Sequence, residues 1–345
     1  MSDPRLIERL WFGEDVLART ARRALLPLEA VYRGVVGVRE ALYDSGVLHA
    51  HEPALPTLSV GNLSVGGTGK TPVAAWIASG LAERGARPAI VLRGYGEDEP
   101  LVHRTLNPAI PVIVTADRVA GVAAAERDGA TIAVLDDAFQ HRRIARDVDL
   151  VLVSADRWMP SPRMLPAGPW REPMRAIQRA TLIVVTRKAA PVATADAVNA
   201  ALAEVAPRVP RTTLHLAFRE LAEVGGQRRL ELDVLAGRDV RVLAAIGDPR
   251  ALIRQLESFG ARVSADVYPD HHHFESQEIE RFAQSVPADG LAICTLKDAV
   301  KLSGRWPRAA PTLWYVSQHV IVERGVGGVD RILDDLARAR DRIER

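Results

Sequence analysis

The 345-residue chain is longer than one ordinary domain, and its 48% hydrophobic content is enough for two buried cores. Its 45 basic and 43 acidic residues leave a formal charge of +2, which excludes a global drive toward nucleic acid. A single cysteine excludes disulfides within the chain and points to a reducing, cytoplasmic compartment, and Cys294, lying in an apolar run, is expected in the core rather than in catalysis.

The first 50 residues contain no uncharged apolar run of 18, because Ala24 to Val38 is interrupted by Glu29 and Arg33, and they lack the layout of a secretory signal. They instead show a helical pattern, with Leu17, Leu28, Val31 and Val35 interleaved with Arg19, Arg22, Arg23 and Arg33. Such helices either lie on an anionic membrane surface or pack on the main domain.

The short apolar stretch Thr57 to Asn62 then leads into Gly66-Gly67-Thr68-Gly69-Lys70-Thr71, and a helical pattern opens at Pro72. This is the layout of a phosphate-binding loop: main-chain N–H groups and Lys70 face phosphate oxygens, and the Thr71 hydroxyl sits on Mg²⁺. Ser64 stands where the usual first glycine would be. Further along, Thr131 to Leu135 is a continuous apolar run ending in Asp136-Asp137, so a buried strand delivers two carboxylates at its carboxyl end, in the manner of a Walker B strand. The two motifs together predict a Mg-nucleotide site.

Apolar runs alternate with helical stretches along the rest of the chain, which predicts a mostly parallel sheet with strands near residues 57–60, 89–92, 112–115, 132–135, 150–153 and 182–186. Alternation around Gly225-Gly226 predicts a hairpin, after which α/β alternation resumes. The expected architecture is α/β with two α/β/α domains. Amphipathic helices (1–50) precede a P-loop NTPase-like domain (51–210), a β-hairpin linker (211–235) and a smaller Rossmann-like α/β domain (236–345). At a strand end in the second domain lies Asp270-His271-His272-His273. Adjacent side chains on an extended segment point to opposite faces, which argues against one zinc ion. One imidazole paired with a carboxylate, assisting proton transfer, remains open beside a solvent-facing loop.

The segment from Ser59 to Pro72 resembles the phosphate loop of the tetraacyldisaccharide 4'-kinase family, which also lacks the first glycine. Similar blocks follow in order: Arg93-Gly94-Tyr95-Gly96, Asp98-Glu99-Pro100, Asp136-Asp137-Ala138-Phe139-Gln140-His141, Arg171-Glu172-Pro173, Asp270-His271-His272 and Lys297-Asp298-Ala299-Val300-Lys301. The resemblance implies ATP-dependent phosphorylation of the 4'-hydroxyl of an acylated glucosamine disaccharide 1-phosphate, with Mg²⁺, at the cytoplasmic face of the inner membrane. No nucleic acid and no obligate protein partner are expected. By the same resemblance Asp98 is the proton acceptor, His271 assists it, Glu99, Asp136 and Gln140 join Thr71 near Mg²⁺, and Arg118 faces charge on the transferred phosphoryl.

The chain departs from the family where only Glu97 separates Gly96 from Asp98, a shortened segment that bears on lipid recognition more than on chemistry. Three rivals remain: a P-loop regulatory or assembly ATPase without a lipid acceptor, a metal-dependent phosphoesterase built on residues 270–273, and a membrane scaffold that binds ATP.

Overall fold

In a computed structural model, residues 4–94 and 96–343 are described. Among them, twelve strands form one sheet: β1 (Thr57–Asn62), β2 (Pro88–Leu92), β3 (Val112–Val114), β4 (Ile132–Asp136), β5 (Val148–Ser154), β6 (Leu182–Arg187), β7 (Arg211–Glu223), β8 (Arg229–Leu230), β9 (Asp239–Ala244), β10 (Arg262–Val267), β11 (Leu291–Thr295) and β12 (Leu313–Arg324). The helices are α1 (Pro4–Phe12), α2 (Val16–Ala24), α3 (Leu26–Asp44), α4 (Lys70–Glu83), α5 (Asp98–Leu106), α6 (Arg118–Arg127), α7 (Val192–Val205), α8 (Pro249–Ser258), α9 (Ser276–Gln284), α10 (Leu296–Leu302) and α11 (Val326–Ile343). The mixed α/β class agrees with the expectation from sequence.

The strand order is β10-β9-β11-β12-β7-β6-β5-β1-β4-β2-β3, with β8 on β7. Along that order pairing is parallel on both sides of one reversal, where β12 runs antiparallel to β7; the off-path β8 is also antiparallel to β7. That reversal places the two halves of the sheet. Pairing of β6 ends at Arg187 opposite His215, whereas β7 continues to Glu223. The second half attaches to this overhang through the first residues of β12, which pair with β11 over Leu313–Val316 and with β7 at Leu221–Glu223. Because its strands run the opposite way, their carboxyl ends point back at the carboxyl ends of the first half. A cleft between facing carboxyl edges is where α/β sheets bind ligands.

Two features differ from the sequence reading. The connection is a long ribbon of β7 with β12; the expected hairpin at Gly225-Gly226 exists, but β8 pairs with β7 at only Leu221 and Ala222. The later part of β12, Gln318–Arg324, has Val320, Ile321 and Val322 between polar and charged residues and pairs along β7 inside the first half. The terminal helix α11, expected in the second domain, also returns to the first half. Val329, Leu333 and Leu336 are buried with Val73, Ile77 and Leu81 of α4, while Arg84 reaches Asp330 and Asp334, both at 2.7 Å. Burial of that apolar stripe outweighs its position in the chain.

Near the N-terminus, α3 turns two of its carboxylates inward. Glu29 is buried, accepts from Met164 N at 3.1 Å and pairs with Arg33 at 2.9 Å. Glu40 lies 3.3 Å from Arg179. Leu28, Val31, Val35 and Val38, spaced at one helix face, are instead more than half exposed. Among the described residues no helix is long and apolar enough to cross a membrane.

Candidate active site

The glycine-rich loop leaves β1 and ends at Gly69, whose left-handed backbone (φ 90°) serves as N-cap of α4. Its frame is local and lateral at once: Asn62 Nδ2 donates to Thr68 Oγ1 at 2.8 Å, and Thr186 Oγ1, from the end of β6, donates to Thr68 O at 2.8 Å. Lys188 Nζ donates to Gly67 O at 2.7 Å and lies 3.7 Å from Asp248, which caps α8 in the second half. Arg157 Nη1 donates to Gly247 O at 2.5 Å and its guanidinium covers the Phe12 ring of α1, so the second half rests on the phosphate loop through Lys188 and on the N-terminal helix through Arg157.

Two carboxylates close β4. Asp137 has a left-handed backbone (φ 53°), sits 3.9 Å from Lys70 Nζ and receives Arg171 Nη2 at 2.8 Å; Arg171 also contacts the Asn62 side chain. Burial opposes ionisation of Asp137, but Lys70 and Arg171 hold its carboxyl below the ordinary range. Asp136 points the other way. Its Oδ2 lies 2.9 Å from His103 Nε2 on α5, and its Oδ1 is buried without a hydrogen bond.

The short link from β2 to α5 brings Asp98 and Glu99 to the first turn of that helix, with Pro100 tolerated there because first-turn N–H groups have no intrahelical partner. Tyr95, in the same link, lies outside the described residues. Asp98 is 2% exposed, and its Oδ1 lies 2.9 Å from His271 Nδ1. Gly96 makes this approach possible: a Cβ there would collide with both His271 Nδ1 and Asp98 Oδ1. His271 itself has φ 62°, and it and Asp137 are the non-glycine residues with positive φ among the described residues. Strain of this kind concentrates at functional sites.

Lys297 donates to Asp270 at 2.7 Å and lies 3.1 Å from His271 Nε2, while Lys301 Nζ is 3.8 Å from Asp98 Oδ2. With Lys297 donating to Nε2, Nδ1 carries the proton shared with Asp98. Burial would raise the Asp98 carboxyl, yet the His271 hydrogen bond with Lys297 and Lys301 keeps it below its usual range; the same hydrogen bond raises His271. Burial, with Asp136 nearby, pushes Glu99 up.

A cavity of about 950 Å³ is lined by Gly66 to Thr71, Glu99, Asp137, Arg171, Lys188, Asp248, Asp270, His271 and Lys297 among others. The structure therefore gathers the phosphate loop, Glu99 and His271 on one cavity, and places Asp98 against His271. Besides Asp98, three predicted residues do not line the cavity: Asp136, turned toward His103, and Arg118 and Gln140. Arg118 is 3% exposed and donates to Thr115 O and Asp136 O, a layer behind the carboxylates. Gln140 donates through Nε2 to Asn62 O, leaving Oε1 buried without a hydrogen bond. His272 pairs with Glu278 and stacks on Tyr268, so it and His271 serve different partners.

His103, Lys188, Asp248 and the roles of Arg171, Lys297 and Lys301 were not foreseen from sequence. Lys188 follows a strand end, a placement that carried a signal; the four-residue spacing of Glu99 and His103 carries one only once α5 is known to be a helix.

The family model for Tetraacyldisaccharide-1-P 4'-kinase matches residues 21–337. The tetraacyldisaccharide 4'-kinase of Anaeromyxobacter dehalogenans (strain 2CP-1 / ATCC BAA-258) is 37% identical over 330 residues, covering 86% of each chain. That of Halorhodospira halophila (strain DSM 244 / SL1) is 37% identical over 314 residues, covering 85% of this chain and 87% of its own. Among solved structures, "apo" form LpxK from Aquifex aeolicus in complex with ATP superposes with a TM-score of 0.70 at 26% identity, over 92% of this chain and 99% of that one. With matches over nearly its whole length added to a phosphate loop that faces an aspartate–histidine pair, the chain belongs to the tetraacyldisaccharide-1-P 4'-kinase family.

Proposed function

We infer that this protein transfers the γ-phosphate of ATP to the 4'-hydroxyl of a tetraacylated glucosamine disaccharide 1-phosphate. The observation that carries the reading is the Asp98–His271 contact of 2.9 Å, made between the two halves beside the phosphate loop. A nucleotide switch has no use for a carboxylate held ionised opposite its phosphates by an imidazole from another lobe.

Phosphoryl transfer passes through a loose transition state, so alignment and charge neutralisation matter more than base strength. In this reading the loop N–H groups and Lys70 hold the β- and γ-phosphates. Asp98, kept ionised by His271 and two lysines, accepts the sugar hydroxyl proton late in the transfer, and His271 fixes which oxygen faces the acceptor. Thr71, Glu99, Asp136 and Gln140 offer an all-oxygen donor set, and the buried, unbonded Asp136 Oδ1 and Gln140 Oε1 fit a hard cation such as Mg²⁺. When bound, Mg²⁺ neutralises charge on the phosphate oxygens. Arg118, fixed behind Asp136, adds positive charge to that wall.

The exposed stripe Leu28, Val31, Val35 and Val38, with Arg19, Arg23 and Arg33 exposed nearby, suits an anionic inner-membrane surface that presents the lipid. Turning Glu29 and Glu40 inward removes negative charge from the face that meets phospholipid.

The test uses ATP labelled at the γ position and the lipid A disaccharide precursor, comparing the protein with Asp98→Asn. Label should appear at the 4'-position and fall by about 10²- to 10⁴-fold in the variant. Label released only to water, or a variant transferring at full rate, would overturn the reading.

A further inference from the structure

Helix α5 carries more than the acceptor carboxylate. Glu99 and His103 stand four residues apart and so share one face of the helix. His103 is fully buried, its Nε2 lies 2.9 Å from Asp136 Oδ2, and its Nδ1 has no hydrogen-bond partner. A buried ring with one unpartnered nitrogen wastes least when that nitrogen is the bare acceptor, which leaves Nε2–H donating to the carboxylate. Asp136 Oδ2 is thereby engaged, and Oδ1 is left buried without a hydrogen bond. Arg118 Nη2 holds the carbonyl of the same residue at 3.3 Å, so main chain and carboxylate are both fixed.

We propose that His103 is a positioning residue for the metal: it locks the Asp136 carboxylate so that Oδ1, and not Oδ2, is offered to Mg²⁺, and pins α5 to the end of β4 so that Glu99 meets the same ion. The inference rests on the reading of Asp136 as a metal ligand given above. It has the form of outer-shell support at metal sites, where a partner of the ligand sets orientation and its loss weakens metal binding by about 10- to 100-fold. Such a pin is useful because the helix that brings both carboxylates is joined to β2 by a link of only residues 93–97.

Binding can be read without turnover by titrating Mn²⁺, as a Mg²⁺ surrogate, into protein with ATP and no lipid, following loss of the free-ion electron paramagnetic resonance signal. His103→Met, which fills the site and removes the donor, should weaken Mn²⁺ by about 10- to 100-fold. The Mg²⁺ needed for half-maximal transfer should rise in step while kcat at saturating Mg²⁺ changes less. His103→Gln, whose amide can reach Oδ2, should recover most of the loss; His103→Asn, with an amide one bond too short on that side, should not. If His103→Met melts below the assay temperature, the Gln–Asn contrast alone decides. Unchanged Mn²⁺ affinity in His103→Met or His103→Asn, or equal loss in Gln and Asn, defeats the proposal. Asp136→Asn separates the two levels: if it too binds Mn²⁺ as the parent does, the metal reading of Asp136 itself fails.

Discussion

The phosphate side and the acceptor side of the cleft are built in opposite ways. The phosphate loop is continuous in sequence, between β1 and α4, and its frame of Asn62 and Thr186 lies in the first half of the sheet. The acceptor side joins Asp98 from the first half to His271, Lys297 and Lys301 from the second. One side is ready whenever the first half is folded; the other exists only while the halves face each other. Grip on nucleotide and readiness for chemistry are therefore separable properties of this molecule.

The largest effect should come from breaking the acceptor side at its centre: Asp98→Asn should lower kcat by about 10²- to 10⁴-fold, equivalent to about 3–5 kcal/mol of barrier. ATP affinity measured by calorimetry should stay near that of the parent. On the phosphate side, Lys70→Met should cost on the order of 10²–10³ in transfer rate, with ATP affinity falling as well. Retention of both would erase the distinction. His271→Ala should lower kcat by less than Asp98→Asn, within about 10²-fold, again sparing ATP binding; an unchanged kcat removes His271 from the mechanism.

A smaller effect concerns pH. The raised His271 contributes stability that is complete below its ordinary value of 6.5 and is lost as pH rises through its higher folded value. The lowered Asp98 contributes stability present above its ordinary 3.8 and lost as pH falls through its lower folded value. The difference in thermal midpoint between the parent and His271→Ala should thus be widest between pH 3.8 and 6.5 and shrink in alkali. A constant difference across that range would detach the pair from stability. The smallest change in chemistry should follow Val31→Glu with Val35→Glu: flotation with anionic vesicles should drop while transfer to detergent-dispersed substrate is kept, and unchanged flotation would exclude the stripe.

The same contrast explains what could be read in the sequence. The loop, the carboxylates ending β4 and the alternating strands are local patterns, and all three lie where they were expected. Helix α5 was not anticipated, because Pro100 and a nine-residue length give little periodic signal. The ribbon of β7 and β12 was also hidden: its pairs join residues about a hundred positions apart, and only the first part of β12 is a clean apolar run. The 270–273 cluster was visible from its residues, but its pairing with Asp98 was legible only through family resemblance, since nothing in spacing links residues separated by 173 positions. His103 escaped because its partner Asp136 is 33 residues away on another element.

The return of α11 to the first half bears on the order in which the molecule is made. A nascent chain that has delivered β1 to β6 and α4 still lacks Val329, Leu333 and Leu336, the side chains that cover one flank of Val73, Ile77 and Leu81. That flank stays open through synthesis of the entire second lobe, a window in which chaperones or neighbouring chains meet bare hydrocarbon. The lobe that binds nucleotide is thus sealed only after the second lobe has been made, by a helix that follows it in the chain.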